Sequence, residues 1–371
     1  MKVLYDHQTF SLQDYGGISR IYTELLKFGP SHPEIKAELS ILFSNNAYLE
    51  ELRNVPYRHF LKRWDSYHKT RVMMVINRLY TIAKLKTTKV DIFHPTYYDP
   101  YFLPHLKGTP FVVTFLDLIH ERFGNRYSQL ADDKLMFGRK KIMLEHASKV
   151  IAISECTKKD IVEVFGTDPA KIEVIYLGNS LRVDRNNDIP ALIKGDYLLF
   201  VGNRGTYKNF DFFLDATREL LVKNKELKIV CAGGGRFSPH ELEKLRKLEL
   251  TSQVVHVPVV NDNTLVSLYK NAVCFIFPSL YEGFGIPVLE AFSCGCPIVL
   301  SNRGSLPEVA GDAVLYCNPE DAHSIATQVT AYLDDAGLRT LKSGEGYKRL
   351  ESFSWEKTSA ETFALYKTIA R

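Results

Sequence analysis

Cysteine is scarce, six in 371 residues, and its spacing forms no framework. Cys156, Cys231, Cys274, Cys294, Cys296 and Cys317 are scattered, most of them inside apolar runs. That usage excludes a disulfide scaffold and reads as buried free thiols in a reducing compartment. Cys294 and Cys296 stand one residue apart with no second pair, so no zinc site is expected. No apolar run approaches the roughly 20 residues that cross a bilayer. The opening MKVLYDHQTF is a short apolar run broken by Asp6 and does not read as a secretory leader. A cytoplasmic protein is expected, at most resting on a membrane. The net charge of +4 is small for the length, and no zinc-finger or RNA-binding signature accompanies it. Nucleic acid is therefore not an implied partner. There is no repeat of solenoid length and no low-complexity segment.

What is present is a soluble, globular composition, 45% apolar and 24% charged, over a length that suits two or three domains. Short β-branched runs alternate with longer amphipathic stretches. In the first half, strands are predicted at Lys2–Tyr5, Asp91–His94, Pro110–Phe115, Lys149–Ile153 and Ile172–Tyr176. Helices are predicted from Gly16-Gly17 to Lys27, at Leu130–Ala147 and at Glu155–Phe165. Residues 179–196 are polar and carry a proline and a glycine, which reads as a connection. A second series follows. Its strands are Tyr197–Val201, Leu227–Ala232, Val254–Val257, Ala272–Phe277, Pro297–Leu300 and Ala313–Tyr316. Its helices are Phe210–Lys223, Pro239–Lys247, Asp262–Lys270 and Pro287–Cys294, and the C-terminus is helical. Near-continuous apolar strands between helices predict parallel sheets covered on both faces. The expected architecture is α/β, two Rossmann-like doubly wound domains facing each other across a cleft. Ligands then belong at the carboxyl ends of the strands.

Three turns carry candidate chemistry. In Tyr281-Glu282-Gly283-Phe284-Gly285-Ile286-Pro287, a buried strand ends in a loop and a helix begins at proline, which suits a first turn. Gly283 and Gly285 let a ligand approach the backbone, and the free N–H groups of a helix start favour an anion. Glu290 lies one turn inside the helix. Carboxylates around an anion site fit a ligand with phosphates in the middle and hydroxyls at both ends, whereas either glutamate alone is more often an ordinary surface residue. The second turn, Gly202-Asn203-Arg204-Gly205-Thr206-Tyr207-Lys208-Asn209, follows the first strand of the second series. Arg204 and Lys208 are expected to converge on phosphate oxygens there. The third, Asp14-Tyr15-Gly16-Gly17, has two adjacent glycines and is not a complete dinucleotide fingerprint.

With these residues on the page, the chain resembles glycosyltransferase family 4, retaining enzymes of the GT-B fold. The segments PSLYEGFGIPVLEAFSCGCPIVLSNRGSLPEVAGDAVLY, DYGGISR, VGNRGTYKN, AISECTKKDI and SFSWEKTSAETFALYK carry the resemblance. It implies a nucleoside-diphosphate sugar donor, GDP- or UDP-linked, transfer with retention, and a setting in bacterial surface polysaccharide assembly. It implies that Glu282 contacts the transferring sugar and Glu290 the ribose. Arg204 and Lys208 would neutralise the departing diphosphate, Phe284, Gly285 and Ile286 would line the pocket, and the backbone after Val257 would face the base. It also implies that a last helix, 353–371, returns to an acceptor-side domain at 1–180, leaving 190–352 as the donor domain. The chain has no pair of aspartates one residue apart, so no metal and no further cofactor are expected.

One position departs from the family. A His-Asp pair commonly follows the strand at Phe111–Phe115, and here it reads Leu116-Asp117. A leucine cannot hydrogen-bond a sugar. Asp117 stays a catalytic candidate, and His120 is the next histidine. On the acceptor side, residues 53–89 hold ten Lys/Arg, among them Arg53, Lys62, Arg63, Lys69, Arg71 and Arg78, against the single acid Asp65. Interleaved apolar residues make this segment either a contact for anionic lipid or a lipid-linked acceptor, or a solvated face over a packed helix. Two other readings remain: a sugar-nucleotide epimerase of the same fold, and a nucleotide-sugar-binding protein weakened at Leu116.

Overall fold

Residues 1–52, 55–61, 67–124, 134–181, 183, 189–259 and 261–370 are described, without the side chains of residues 67 and 206. In this computed structural model the chain divides into two compact units, Met1–Leu177 with Trp355–Arg371, and Gly178–Ser354.

The first unit runs β1 (Lys2–Tyr5), α1 (Gln8–Leu12), α2 (Gly17–Phe28), β2 (Lys36–Leu39), α3 (Tyr67–Thr87), β3 (Ile92–His94), β4 (Val112–Phe115), α4 (Ile119–Phe123), α5 (Lys134–His146), β5 (Lys149–Ala152), α6 (Glu155–Phe165) and β6 (Ile172–Val174). Two parallel three-stranded sheets, β2-β1-β3 and β4-β5-β6, are joined by an isolated parallel bridge between Phe93 and Phe111. Apolar residues on the central strands, such as Phe93, Val113, Phe115 and Val150, form its core with Met143 and Ile161 from the covering helices. Strand β2 was not foreseen. It is an edge strand of sequence KAEL, half-exposed and charged, and a charged edge lacks the apolar run that marks a central strand. Of the expected helix at Leu130–Ala147, residues 130–133 lie outside the described ones.

The second unit runs β7 (Tyr197–Val201), α7 (Phe210–Lys223), β8 (Lys228–Ala232), α8 (Pro239–Leu248), β9 (Val254–Val257), α9 (Asp262–Asn271), β10 (Cys274–Phe277), α10 (Ile286–Ser293), β11 (Ile298–Ser301), α11 (Leu306–Ala310), β12 (Leu315–Cys317), α12 (Ala322–Asp334) and α13 (Ala336–Leu350). α14 (Trp355–Ile369) belongs to the first unit. The parallel sheet has the order β12-β11-β10-β7-β8-β9. Strands β7 and β10 are the apolar runs YLLFV and CFIF, buried almost throughout, as a sheet covered on both faces requires. Leu198, Phe200, Phe213, Ile229 and Ile276 are fully buried in the core. Truncating Phe200 to alanine is expected to cost about 3–5 kcal/mol.

This strand order is that of a doubly wound dinucleotide-binding sheet. The chain reverses direction across the sheet between β7 and β10, the position at which open α/β sheets take their ligands.

Candidate active site

The two loops at that reversal, 202–209 and 278–285, are tied to each other. The Leu280 backbone N–H donates to the Tyr207 carbonyl at 2.8 Å. The Asn209 side-chain amide donates to the carbonyls of Pro278 at 3.2 Å and Pro319 at 2.6 Å. Between them, Lys208 Nζ meets Glu282 Oε1 at 2.6 Å, with side chains only 15% and 10% exposed. The ammonium also lies 5.0 Å from the centre of the Phe277 ring. A paired cation and carboxylate withdrawn from water attract strongly, and either is costly to leave alone.

Glu282 is braced from behind. The Ser305 hydroxyl donates to its carbonyl at 2.8 Å. Gly283 and Phe284 are buried, and Phe284 meets Phe353 edge-on at 5.9 Å. Gly285 has φ +100° and caps α10; a Cβ there would fall 2.8 Å from the Leu306 side chain. Only glycine fits, so the turn that starts the helix at Ile286 depends on it. One turn along, half-buried Glu290 accepts a hydrogen bond from the Tyr269 hydroxyl at 3.2 Å. Burial first, and then the Glu290 charge, push the Tyr269 phenol well above its ordinary range, so it stays a donor.

Arg204 does not join Lys208. Its nitrogens, expected to converge with Lys208 on one anion, are engaged elsewhere: Nε donates to Glu241 at 2.6 Å, and the other nitrogens donate to carbonyls of residues 233–236. Gly202 and Asn203 form the turn beneath it. Val257 ends β9, paired with Ala232.

In the first unit, Gly16 and Gly17 open α2, where the Gln13 side-chain oxygen accepts from the Ser19 N–H at 3.3 Å. Leu116, Asp117 and His120 line a cavity of about 340 Å³ with Ile18, Tyr97 and Lys140. Asp117 caps the short helix α4 through the Ile119 N–H at 3.2 Å, and its carbonyl accepts from Lys140 at 3.2 Å. Lys140 is in turn paired with buried Glu121 at 2.9 Å.

Glu241, Tyr269 and Ser305 were missed in the sequence. Ser238 and Glu241 do spell a helix cap, and Ser238-Pro-His-Glu241 forms a capping box. Nothing local shows that Glu241 also holds an arginine 37 residues earlier.

A doubly wound sheet with a buried lysine–glutamate pair and a glycine-started helix at its reversal point defines the class: an α/β protein with a candidate ligand site at that point. Comparisons narrow it. The family model described as glycosyl transferases group 1 matches residues 185–349, and that described as glycosyltransferase family 4 matches residues 33–181. The chain belongs to this glycosyltransferase family and is a hexosyltransferase. It is 28% identical over 341 residues to an uncharacterized glycosyltransferase of Methanocaldococcus jannaschii, covering 87% of this chain and 85% of the relative. It is 28% identical over 298 residues to O-antigen chain mannosyltransferase B of Escherichia coli, covering 77% and 76%. Among solved structures, Anabaena HepE in complex with UDP and glucose aligns with a TM-score of 0.74 at 15% identity, over 99% of this chain and 100% of that one. Sucrose-phosphate synthase from Thermosynechococcus elongatus aligns with the same TM-score at 17% identity, over 99% and 98%. At these identities the likeness establishes the fold, GT-B.

Proposed function

We propose that the protein is a retaining glycosyltransferase that moves a hexose, mannose first among candidates, from a GDP- or UDP-linked donor to a saccharide or lipid-linked saccharide in surface polysaccharide assembly. The observation that carries this is the Lys208–Glu282 pair at the reversal point of the second sheet. A donor diphosphate takes Lys208, which frees Glu282 to accept hydrogen bonds from the sugar. Glu290, oriented by Tyr269, accepts the ribose hydroxyls. The backbone from Gly283 to Ile286 brings N–H groups to the phosphates. The anomeric carbon exchanges its bond to the diphosphate oxygen for a bond to an acceptor hydroxyl. The electron pair leaves with the nucleoside diphosphate, whose departing oxygen takes the proton that the acceptor hydroxyl gives up. Charge placed in advance stabilises that departing anion without a metal ion. The mannosyltransferase names among the relatives favour mannose, and the HepE complex favours a uridine nucleotide, so both bases belong in the test.

The test is a panel of nucleotide sugars incubated with the protein in EDTA. Release of nucleoside diphosphate from one donor is expected. Isomerisation of the donor would indicate an epimerase, binding without turnover a weakened binding protein, and strict manganese dependence a different catalytic charge.

On the acceptor side, we propose that α3 rests on anionic lipid. The helix has six Lys/Arg-or-His positions at His68, Lys69, Arg71, Arg78, Lys84 and Lys86 and no acid. Val72, Val75 and Leu79, spaced along one face, are 50%, 52% and 61% exposed. Arg53, Lys62, Arg63, Trp64 and Asp65 of the same basic segment lie outside the described residues. Among the described residues no helix is long and apolar enough to cross a membrane. Sedimentation with anionic vesicles at low salt, reversed at high salt, is the expected result; protein left in the supernatant at low salt contradicts it.

A further inference from the structure

The guanidinium of Arg204 occupies the place where a phosphate ligand is expected, yet each of its three nitrogens already has a partner. Its side chain is 3% exposed. Nε donates to Glu241 Oε1 at 2.6 Å, Nη1 to the Gly233 carbonyl at 3.1 Å, and Nη2 to the carbonyls of Gly235 at 2.9 Å and Arg236 at 3.2 Å. The Phe237 ring lies against it, 4.8 Å from centroid to Cζ. Glu241 is itself fixed, because its second oxygen accepts from the Ser238 N–H at 2.6 Å. Moving Arg204 out to a ligand would strand the Glu241 carboxylate, whose side chain is only 12% exposed, and give up the carbonyls of the 233–236 turn.

The carbonyls that Arg204 gathers come from a turn with φ of +75°, +69° and +74° at Gly233, Gly234 and Gly235. That turn leaves β8, the neighbour of β7. It presses on the turn leaving β7 so closely that a Cβ on Gly234 would lie 2.5 Å from the Gly202 carbonyl oxygen. Both turns stand at the carboxyl edge of the sheet, beside Lys208.

We propose that Arg204 is a positioning residue and not a phosphate ligand: with Glu241 it clasps the Gly233–Gly235 turn onto the Gly202–Asn203 turn, and the two turns form one wall of the donor site. The positive charge that meets the diphosphate is then Lys208. This rests on the reading that the reversal point of the second sheet holds the donor.

The two roles for Arg204 give opposite signs on removing the Glu241 charge. Glu241→Gln keeps the helix cap, because glutamine serves in a capping box as glutamate does. If Arg204 is a clasp, loosening it spoils the wall and weakens nucleotide binding. If Arg204 is a phosphate ligand held in reserve, losing its competitor strengthens binding. The experiment titrates UDP and GDP calorimetrically into the full chain as wild type, Glu241→Gln, Arg204→Lys and the double variant. The clasp predicts about tenfold weaker binding in each single variant, the scale of one charge-assisted hydrogen bond. It also predicts a double variant no worse than Arg204→Lys, because both act on one contact. Equal or tighter binding by Glu241→Gln overturns the proposal, as do losses that add in the double variant. If wild type binds neither nucleotide, the donor reading itself fails. Amide exchange then still decides the clasp: faster exchange at residues 202–203 and 233–236 in Glu241→Gln supports it, and unchanged exchange overturns it.

Discussion

Both units are built on parallel sheets of their own but finish the carboxyl edge in different ways. In the second unit, two neighbouring loops meet across a lysine–glutamate pair and a set of glycine turns. In the first, the ends of β1 and β3 are tied together by buried side chains, while Leu116 and Asp117 line a cavity after β4. Asp6, fully buried, accepts from the Gln8 amide at 2.8 Å, the Thr96 N–H at 2.8 Å and the Tyr101 hydroxyl at 3.0 Å. His94 shares hydrogen bonds with Thr114 at 3.0 Å and with Tyr366 on α14 at 2.5 Å. Tyr366 also meets the hydroxyl of Tyr5 at 2.9 Å. The contrast shows what a ligand site needs. A lone charge pair can trade its partner for a ligand while the fold stands. A web of hydrogen bonds reaching across the sequence cannot be opened without unfolding its unit.

Substitutions should separate the two edges cleanly. The largest effect is expected at Lys208→Ala and Glu282→Gln. Transfer should fall about 100- to 1000-fold, the usual consequence of losing a charge aimed at the departing group, a larger effect than the stability lost by leaving the other charge of the pair alone. Steady-state rates with the active donor check this. Next, Asp6→Ala should do the reverse. It strands several buried donors, so unfolding in urea should reveal a loss of about 3–5 kcal/mol.

Acid should also act on the first unit. Burial lowers His7 to about 4 and His94 to about 3, from an ordinary 6.5, so both are held neutral in the fold. The unfolded chain takes up protons below about 6.5 that the folded unit refuses. Stability is therefore complete above that pH and falls as pH drops towards 4 and then 3. The His7 contribution alone is on the order of 3 kcal/mol. Urea unfolding at pH 7 and pH 5 should show the loss, and His7→Asn should flatten it; equal slopes in both proteins would contradict the assignment. The smallest effect belongs to Leu116→His. It adds a donor to the cavity beside Asp117 and should raise transfer a few-fold, about 1 kcal/mol of hydrogen bonding. An unchanged rate would mean that Asp117 and His120 already organise that cavity.

The same contrast explains what could be read from the sequence. The second unit's strands are continuous apolar runs, so its sheet class is locally written, and most of its candidate site residues fall in one stretch from Tyr281 to Glu290. The thiols were legible for the same reason: Cys231, Cys294 and Cys317 sit in apolar runs, and burial pushes them up to about 12. The helix start fell at Ile286, one residue before the proline that announced it. By contrast, the partner of Arg204 is set by how α8 packs near β7. The Asp6 web joins residues 90 positions apart, such as Asp6 and Thr96. Long-range pairings of polar residues leave no periodicity and no motif, so they appear only once the fold brings them together.

The central claim is that Lys208, paired with Glu282, is the cation that receives a nucleoside diphosphate. The direct measurement is the unfolding midpoint of the full chain with saturating UDP or GDP, in wild type and Lys208→Ala. A ligand at a hundred times its dissociation constant stabilises by about 2.7 kcal/mol. The account predicts that one nucleotide raises the wild-type midpoint and that most of the rise disappears in Lys208→Ala. An equal rise in both proteins would contradict it.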